Sequence, residues 1–318
     1  WGFESLRMHH FMNKKIHILG GGTVQHIRNH FSVCAPAYGS TAKLLYKIIE
    51  ENKLAPDMDV KLVLTKMAGG QHLETNSEVE DYIKMITSDP RSKIVFFNMA
   101  LCDYDPEKLV TSTKESTVFD KYHSRLETKE DDYILLHLRA ADKIIKQVRE
   151  VRKDIFLVGF KTTCGSNSQD MFTRGLRLLK NSGCNLVLVN DTFYRHNMIV
   201  TPEEAAYCET GDRNKVLKEL VEMAVLRSQL TFTQSTVVAG QPVPWSSPEV
   251  PDSLRKVVDY CISKNAYKAF NGATVGHFAC KISDTEFLTS VRKSNFNELS
   301  KNGLVRVTTD GPDTVLAY

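Results

Sequence analysis

Short apolar segments alternate with amphipathic stretches over the first two thirds of the chain. The apolar segments are rich in Val, Ile, Leu and Phe and show little polar alternation, which is typical of strands covered on both faces. They predict strands at Ile16–Leu19, Val60–Thr65, Lys93–Asn98, Ile155–Phe160 and Leu186–Asn190.

The stretches between these segments carry apolar residues at helical spacing. The apolar stripes are Leu44, Leu45, Ile48 and Ile49 within Ser40–Glu50; Val79, Tyr82, Ile83 and Ile86; Phe172, Leu176 and Leu179; and Val216, Leu217, Leu220, Val221 and Ala224. Alternation of strands and helices implies parallel pairing through right-handed crossovers. We therefore predict an α/β fold with a Rossmann-like, doubly wound and mainly parallel sheet, whose ligand lies beyond the carboxyl ends of the strands.

The pattern changes after residue 227. Four prolines and a Ser-Ser pair lie close together, which predicts a linker at residues 228–251. A helical stripe at Leu254–Ile262 and several strand-like segments follow. The strand-like segments are Phe278–Ile282, Glu286–Thr289, Leu304–Thr308 and, after a turn at Asp310–Asp313, Thr314–Tyr318.

These changes predict three parts and a leader. We expect a nucleotide-binding domain at residues 14–227, the linker at 228–251, and a partial α/β unit with antiparallel strands at 252–318. Residues 1–13 lack the apolar core of a secretory signal and are predicted to be a mobile leader. Because the last segment reaches Tyr318 in mid-strand, we expect the chain to be truncated or processed there.

Composition narrows the class of protein. The 318 residues are 42% hydrophobic and 25% charged, as in ordinary globular domains, and the net charge is +3. So balanced a charge argues against nucleic-acid or membrane partners. The seven cysteines are scattered without a Cys-x-x-Cys pair, which favours a cytoplasmic protein and disfavours a zinc ribbon or disulfide framework.

The first candidate for chemistry is Gly20-Gly21-Gly22-Thr23, directly after the first strand. Glycine amides can approach a phosphate and the Thr23 hydroxyl can add a hydrogen bond. Gln25 stands where a dinucleotide fingerprint requires glycine, and Thr65-Lys66 stands where it requires an acid, so the pattern disfavours NAD. A looser nucleotide loop and a tight turn without a ligand both remain open.

Further polar residues follow the other predicted strands. Asn29 and Ser32 precede a predicted helix, where they suit an anion or carbonyl ligand but are equally ordinary caps. Asp103 could bind a ribose hydroxyl or a metal ion, or be a solvated acid. Lys121 could offset the charge of departing pyrophosphate, or be a surface lysine.

Three more candidates lie towards the end of the first domain. Phe160 could stack on a base or belong to the core, and Asn190 ends the last predicted strand. Lys180 lies with Arg174 and Arg177 on the polar face of a helix, where these side chains could reach phosphates or merely solvate the helix.

In their order along the chain, these motifs resemble the phosphopantothenoylcysteine synthetase (phosphopantothenate–cysteine ligase) family, the carboxy-terminal half of the bacterial bifunctional coenzyme A biosynthesis flavoprotein. The resemblance covers residues 14–227. The corresponding segments are Gly21-Gly22-Thr23, Arg28-Asn29-His30-Phe31-Ser32, Cys102-Asp103-Tyr104, Lys121-Tyr122-His123-Ser124, Gly159-Phe160 and Asn190-Asp191.

The resemblance implies a ligase that joins 4′-phosphopantothenate and cysteine through a nucleotide-activated acyl intermediate. CTP or ATP would be the co-substrate with Mg²⁺, and the protein would be a homodimer. By the same resemblance Asn29 and Lys121 would be catalytic and Asn190 would bind substrate. The nucleotide would be bound by Gly21, Gly22, Thr23, Ser32, Asp103, Phe160 and Lys180.

Residues 252–318 resemble the amino-terminal part of the class II aldolase/adducin family. Thr274–Lys281 is similar to that family's Gly-Asn-x-Ser-x-Arg segment, and Phe287–Ser290 to its Leu-Ile-Thr-Pro-Ser strand. The zinc histidines of metal-dependent members lie further downstream, so no metal site is expected in this chain. The alternative hypothesis is a non-catalytic nucleotide-binding or scaffold protein in which both domains are degenerate. Ala37-Tyr38-Gly39-Ser40 replaces the lysine-bearing Gly-Lys-Met-Gly motif of the synthetases, and Lys161-Thr162-Thr163 stands where they have a Glu.

Overall fold

The computed structural model describes residues 13–127, 133–229, 234–238, 240–270, 273–274, 278–291, 294–309 and 314–317. The chain divides into two compact units, one up to residue 231 and the other from residue 232. Nearly all of the predicted leader at 1–13 lies outside the described residues. Across the described ranges, no helix combines the length and apolar character that crossing a membrane requires.

The first unit alternates strands and helices. Its strands are β1 (Lys14–Gly22), β2 (Val24–Arg28), β3 (Phe31–Cys34), β4 (Met58–Leu64), β5 (Ser92–Ala100), β6 (Tyr104–Thr111), β7 (Glu115–Ser116), β8 (Ile134–Ala140), β9 (Phe156–Thr163), β10 (Leu186–Asp191), β11 (Asn197–Val200) and β12 (Ala206–Thr210). Its helices are α1 (Ser40–Asn52), α2 (Asn76–Ser88), α3 (Ile145–Val151), α4 (Ser168–Ser182) and α5 (Arg213–Ser228).

A seven-stranded sheet forms the centre of this unit, in the order β12-β11-β10-β9-β5-β1-β4. Strands β4, β1, β5, β9 and β10 are parallel, and β11 and β12 are antiparallel additions. The predicted α/β class with a doubly wound, mainly parallel sheet is therefore confirmed. The strand order reverses between β1 and β5, and such switch points are where open α/β sheets bind ligands.

Both faces of the sheet are buried, as the unalternated apolar strands predicted. Ile16, Ile18 and Phe96 lie in a core that includes residues of α1 and α5. Leu19 and Val95 lie in a second core with residues of α2, α3 and α4. The predicted helical stripes supply these contacts.

A small second layer follows β1 in the sequence. Strands β2 and β3 form an antiparallel hairpin, and β7, β6 and β8 form a three-stranded sheet. Buried Ile27, Leu109 and Leu126 join the hairpin, the sheet and the loop that follows β7 into one apolar cluster. The loop that carries Lys121 is thereby fixed to the hairpin that carries Asn29.

The second unit contains a five-stranded sheet in the order β13-β19-β18-β17-β16 and a separate β14-β15 pair. Its elements are β13 (Gln234–Val237), α6 (Asp252–Ser263), β14 (Ala269–Phe270), β15 (Ala273–Thr274), β16 (Ala279–Lys281), β17 (Glu286–Ser290), α7 (Leu299–Asn302), β18 (Leu304–Thr309) and β19 (Thr314–Ala317). The predicted helix and strand-like segments coincide with α6, β16, β17, β18 and β19, while the predicted turn at Asp310–Asp313 lies outside the described residues.

The linker prediction for residues 228–251 is wrong over most of its length. Ser228 ends α5, and β13 pairs in parallel with β19. Val243 bridges to Leu304, and Val250 is buried in the core of the second unit. The proline-rich segment is therefore a packed part of this unit, because its Val243 and Val250 lie in the core.

Candidate functional site

The glycines that end β1, and Thr23 after them, mostly make hydrogen bonds within the protein. The Gly22 N–H donates to the Ala37 carbonyl at 2.8 Å, and the Thr23 N–H donates to the Ala100 carbonyl at 3.0 Å. The Thr23 hydroxyl is fully buried, donates to Asn76 Oδ1 at 2.7 Å and accepts from the Cys102 N–H at 2.9 Å. These groups join β1 to β5 at the switch point. The prediction that Gly22 and Thr23 bind the nucleotide is at odds with these contacts.

Gly21 has a different reason for being glycine. Its φ is +110°, and a Cβ at this position would lie 2.1 Å from Thr65 Oγ1. No larger residue fits that backbone and that gap together. Gly21 thus allows the end of β1 to lie directly against the end of β4.

Asn29 and Ser32 do not stand at a helix N-terminus, contrary to the sequence interpretation. Both are exposed, Asn29 at the turn between β2 and β3 and Ser32 on β3, whereas α1 begins at Ser40 after Gly39. Strands β2 and β3 pair as a hairpin. On β3, the half-buried Phe31 and Val33 alternate with exposed residues and pack against the apolar cluster of Ile27, Leu109 and Leu126. The Asn29 N–H donates to the His123 carbonyl at 3.2 Å, which ties the hairpin tip to the Lys121 loop.

Lys121 lies in a cluster of charges centred on Glu74. The Lys121 ammonium donates to both Glu74 carboxylate oxygens, at 3.1 and 2.8 Å, and Lys66 Nζ donates to Oε2 at 2.8 Å. His26 Nε2 lies 3.4 Å from Oε1, while its Nδ1 is 3.1 Å from Ser32 Oγ. Hydrogen bonds from Lys121 and then Lys66 lower the pKa of the Glu74 carboxyl to about 2. The structure therefore brings Asn29, Ser32 and Lys121 into one region.

Asp103 lies just beyond β5, at the switch point. Its carboxylate is exposed and forms an ion pair with Lys143, and its carbonyl accepts from the Ala141 N–H at 2.9 Å. An exposed pair of this kind contributes little to stability, so the carboxylate can exchange partners with a ligand. The position agrees with the predicted edge of the sheet.

A cavity of about 340 Å³ lies at the ends of β10 and β11. Its lining residues are Ser40, Thr41, Leu44, Asn190, Asp191, Thr192, Arg195, Asn197, Gly211 and Arg213. The half-buried Asn190 accepts from Thr162 Oγ1 at 3.4 Å. Phe160, on the neighbouring β9, is half-buried and packs against the core shared with α1 and α5.

The wall of this cavity carries two arginines, Arg195 and Arg213, and the Asp191 carboxylate. Arg213 donates to Asn197 Oδ1 at 2.6 Å and to Thr41 Oγ1 at 2.9 Å, and Arg195 lines the opening. Helix α1 starts at Ser40 without a side-chain cap, because its N-cap residue, Gly39, has no side chain that could accept from the first N–H groups. An uncapped helix N-terminus beside two arginines favours an anion.

The segment before α1 packs against the turn that carries Lys66. The Lys66–Ala68 turn packs on the segment that leads into α1, where the Ala37 N–H points at Met67 Sδ at 3.4 Å. A Cβ at Gly39 would lie 2.8 Å from the Ala68 Cβ. Residues 37–39 therefore contact the turn that carries Lys66 and lead into the start of α1, where Ser40 and Thr41 line the cavity.

Lys180 is not at this edge, and its assignment to the nucleotide site is wrong. It occupies the last turn of α4 and forms an ion pair with Glu204. Helix α4 runs back from the carboxyl end of β9 to the start of β10, and at 1.5 Å per residue Lys180 lies about 18 Å from its first residue. Arg174, on the same helix, pairs with Asp170.

Several residues of the site escaped the sequence interpretation. Lys66, Glu74 and His26 carry no motif. Arg195 lies in the loop before β11, Asn197 begins that antiparallel strand, and Arg213 begins α5. The apolar pattern of parallel strands predicts where the strands end. Charged side chains that come together from separate loops have no fixed spacing in the sequence, so no local pattern predicts them. Within the described ranges, no three His, Cys, Asp or Glu side chains are grouped as metal ligands.

Comparisons with known proteins agree with this architecture. No family model matches the chain. A segment of 154 residues, 48% of the chain, is 26% identical to the coenzyme A biosynthesis bifunctional protein CoaBC of Thermococcus kodakarensis, of which it covers 35%. The chain thus spans about a third of the length of this curated relative.

Two solved structures share the fold. The DNA/pantothenate metabolism flavoprotein of Streptococcus pneumoniae has a TM-score of 0.55 at 18% identity, over 68% of this chain and 99% of that one. Cab2, solved as a variant in complex with phosphopantothenate-cysteine, has a TM-score of 0.52 at 10% identity, over 70% and 89%. None of these comparisons supports the aldolase/adducin resemblance of residues 252–318. The chain has the α/β fold of these two structures, and part of its sequence is similar to a coenzyme A biosynthesis protein.

Proposed function

We propose that the protein is a ligase that joins 4′-phosphopantothenate and cysteine in coenzyme A biosynthesis. The observation that carries the proposal is the presence of two groups of basic side chains, Lys66 and Lys121 at Glu74 and Arg195 and Arg213 in the cavity, joined through the segment that packs on the Lys66–Ala68 turn and leads into α1. Two anionic substrates need two such sites. The similarity to CoaBC and the ligand of the Cab2 structure support the choice of substrate.

The proposed reaction has two steps. A carboxylate oxygen of 4′-phosphopantothenate attacks the α-phosphorus of a nucleoside triphosphate, and the bond from that phosphorus to the pyrophosphate oxygen breaks. The amine of cysteine then attacks the acyl carbon, the nucleoside monophosphate leaves with the bonding electron pair, and the amine loses a proton. The protein positions the reactants and offsets the charge that develops.

Particular side chains fit these tasks. Lys121 would contact the polyphosphate, and the exposed amide of Asn29 would hold the acyl intermediate beside it. Asp103 would bind the ribose and Phe160 would stack on the base. Asn190 would form part of the wall of the substrate pocket. Ser32 and the backbone of Gly21 complete the proposed nucleotide site.

CTP or ATP is the proposed co-substrate, and Mg²⁺ would accompany it. This ion usually binds through phosphate oxygens with few protein ligands. The nucleophile is the substrate amine, so none of the seven cysteines is required, and all seven are free thiols. We include a cytoplasmic location in the proposal, because free thiols persist in a reducing compartment.

A homodimer is also part of the proposal. Strand β8 is at the edge of its three-stranded sheet. Leu135 and Leu138 on this strand are 54% and 39% exposed, and Tyr133, which precedes it, is 52% exposed. An open apolar edge strand of this kind favours pairing with another strand. A second copy that pairs through β8 would cover it.

The alternative is a non-catalytic nucleotide-binding or scaffold protein. The burial of the Thr23 hydroxyl and the capture of Lys121 by Glu74 favour it, because two predicted phosphate ligands are engaged elsewhere. Under this alternative the same edge of the sheet would bind a nucleotide without turnover.

One assay separates these functions. The purified chain is mixed with 4′-phosphopantothenate, cysteine, Mg²⁺ and either CTP or ATP, and pyrophosphate release is followed. We expect release that requires phosphopantothenate and yields phosphopantothenoylcysteine by mass spectrometry. Nucleotide binding without turnover would favour the scaffold, and absence of both would contradict each of the two functions.

A further inference from the structure

Glu74 is held rigidly at the centre of side chains from three other segments. Its N–H donates to Glu78 Oε2 at 2.6 Å, and its carbonyl accepts from the Val24 N–H at 2.9 Å. Its side chain is 18% exposed. Lys66 reaches it from the turn after β4, and Lys121 reaches it from the loop after β7. The carboxylate is therefore a fixed point to which two loops are attached.

The cluster holds two ammonium groups, of Lys66 and Lys121, and two carboxylates, of Glu74 and Glu78. Two ammonium groups share one carboxylate, and both lie 2.8 Å from Oε2, so the two cations are close together. An ammonium has three N–H donors, and Lys66 directs one of them to Glu74. Without the carboxylate the two like charges would repel each other and the exposed lysines would separate.

We propose that Glu74 is a positioning residue that holds the ammonium groups of Lys66 and Lys121 side by side, so that both bind one phosphate-bearing substrate. This inference rests on the proposed function, in which Lys121 contacts a polyphosphate, and it adds Lys66 as a second cation. The hydrogen bonds that lower the pKa of Glu74 keep the carboxylate charged at neutral pH, and the hydrogen bond from Lys66 raises the pKa of that lysine.

The test compares Glu74→Gln, Glu74→Asp and Lys66→Met with the wild type. Calorimetry gives the Kd for MgATP and MgCTP, and steady-state assays give kcat and KM. We expect Glu74→Gln and Lys66→Met each to weaken triphosphate binding about tenfold, the equivalent of one lost charged contact. Glu74→Asp, which keeps the charge, is expected to recover part of that loss.

A pH series adds a readout that a purely structural role would not change. Glu74, Glu78 and Tyr122 raise the pKa of Lys66, and Lys121 and His26 face the same Glu74 carboxylate. Removing Glu74 takes away the largest influence that raises the pKa of Lys66. The alkaline fall in triphosphate affinity should therefore begin at a lower pH in Glu74→Gln than in the wild type.

Glu80→Gln is the matched control, because it makes the same substitution in the exposed Glu80–Lys84 pair on α2. Thermal unfolding checks that each variant is folded, and the exposed Lys66 provides a second variant if Glu74→Gln is not. If the wild type binds the triphosphate, and Glu74→Gln and Lys66→Met bind it as tightly as Glu80→Gln does, the inference is overturned and the ligase proposal stands. A wild type that neither binds nor turns over triphosphate would overturn both.

Discussion

Asp191 and Ser166 lie 25 residues apart in sequence and are joined by a 2.9 Å hydrogen bond from the Ser166 N–H to Asp191 Oδ2. The same buried carboxylate accepts from the N–H groups of Gly165, Phe193 and Tyr194 and from the Thr163 hydroxyl. It therefore fixes the loops after β9 and β10, which border the cavity.

Replacing Asp191 with Asn should lower the thermal unfolding midpoint, because an amide cannot accept from all five donors. Burial would raise the pKa of the Asp191 carboxyl, but the hydrogen bonds from Tyr194, Ser166 and Thr163 outweigh it and hold the pKa below its usual range. The stabilisation is thus complete above the unfolded pKa of about 3.9 and is lost as the pH falls below it. Urea unfolding of both proteins at pH 7 and pH 3 measures this. If the difference in unfolding free energy between the wild type and Asp191→Asn is the same at pH 3 as at pH 7, the stabilising role of the charged Asp191 carboxylate is contradicted.

His17 should make the protein less stable in mild acid. It is buried on β1 with Nε2 3.0 Å from Ser92 Oγ, and burial, with a smaller contribution from Lys15, lowers its pKa from 6.5 to about 4. The unfolded chain binds the proton more readily, so stability is unaffected above pH 6.5 and falls as the pH drops towards 4. We expect a loss on the order of 3 kcal/mol across that window.

The check is urea unfolding of His17→Gln at pH 7 and pH 4.5, with His137→Gln on the exposed β8 as the control. The His17 variant should lose part of the pH dependence that the wild type and the control retain. Equal pH dependence in all three proteins would mean that His17 does not titrate in this range.

Alanine substitutions at two glycines with positive φ, Gly69 and Gly21, distinguish the cost of backbone strain from the cost of a steric clash. At Gly69 a Cβ would meet nothing within 4 Å, whereas at Gly21 it would lie 2.1 Å from Thr65 Oγ1. Gly69→Ala should cost about 1 kcal/mol of unfolding free energy, the price of a left-handed alanine. Gly21→Ala should cost about 1–3 kcal/mol more, because β1 and β4 must move apart. Similar losses in denaturant titrations of the two variants would show that the end of β1 is not tightly packed.

The exposed edge of β8 predicts the oligomeric state. The wild type should sediment as twice its 36.0 kDa chain mass, and the double substitution of Leu135 and Leu138 by Lys should yield monomers, because two charges per strand oppose apolar pairing. Val257→Lys, at a position 61% exposed on α6, is the control and should leave the mass unchanged. A monomeric wild type at micromolar concentration would reject the proposed dimer.

The sequence predicted the central sheet well, because the local apolar pattern of its strands directly reflects their burial in the fold. Apolar segments such as Ile16–Leu19 predicted the buried strands and the doubly wound sheet, since only strands covered on both faces have that composition. The predicted end of β9 at Phe160 was too early. Lys161–Thr163 continue the strand because they pair with Val189–Asp191, and polar residues at a strand end give no apolar signal.

The site was harder to predict, because side-chain roles depend on partners distant in sequence. Thr23 was expected to face a ligand, yet Asn76 and Cys102 engage its hydroxyl from two other segments. Asn29 was placed before a helix because the hairpin β2–β3 has only a few apolar residues to reveal it. Lys121 was identified as a candidate, but its partner Glu74, 47 residues away, has no sequence signature.

The parallel pairing of β13 with β19 joins the first and last strands of the second unit. During translation, residues 234–237 leave the ribosome long before residues 314–317 exist, so their N–H and C=O groups have no strand neighbour until synthesis of this region is nearly finished. Such distant pairing slows folding and exposes the nascent chain to chaperones and to misassembly with other chains. The yield of this unit in cells should therefore depend on how quickly that final strand is delivered.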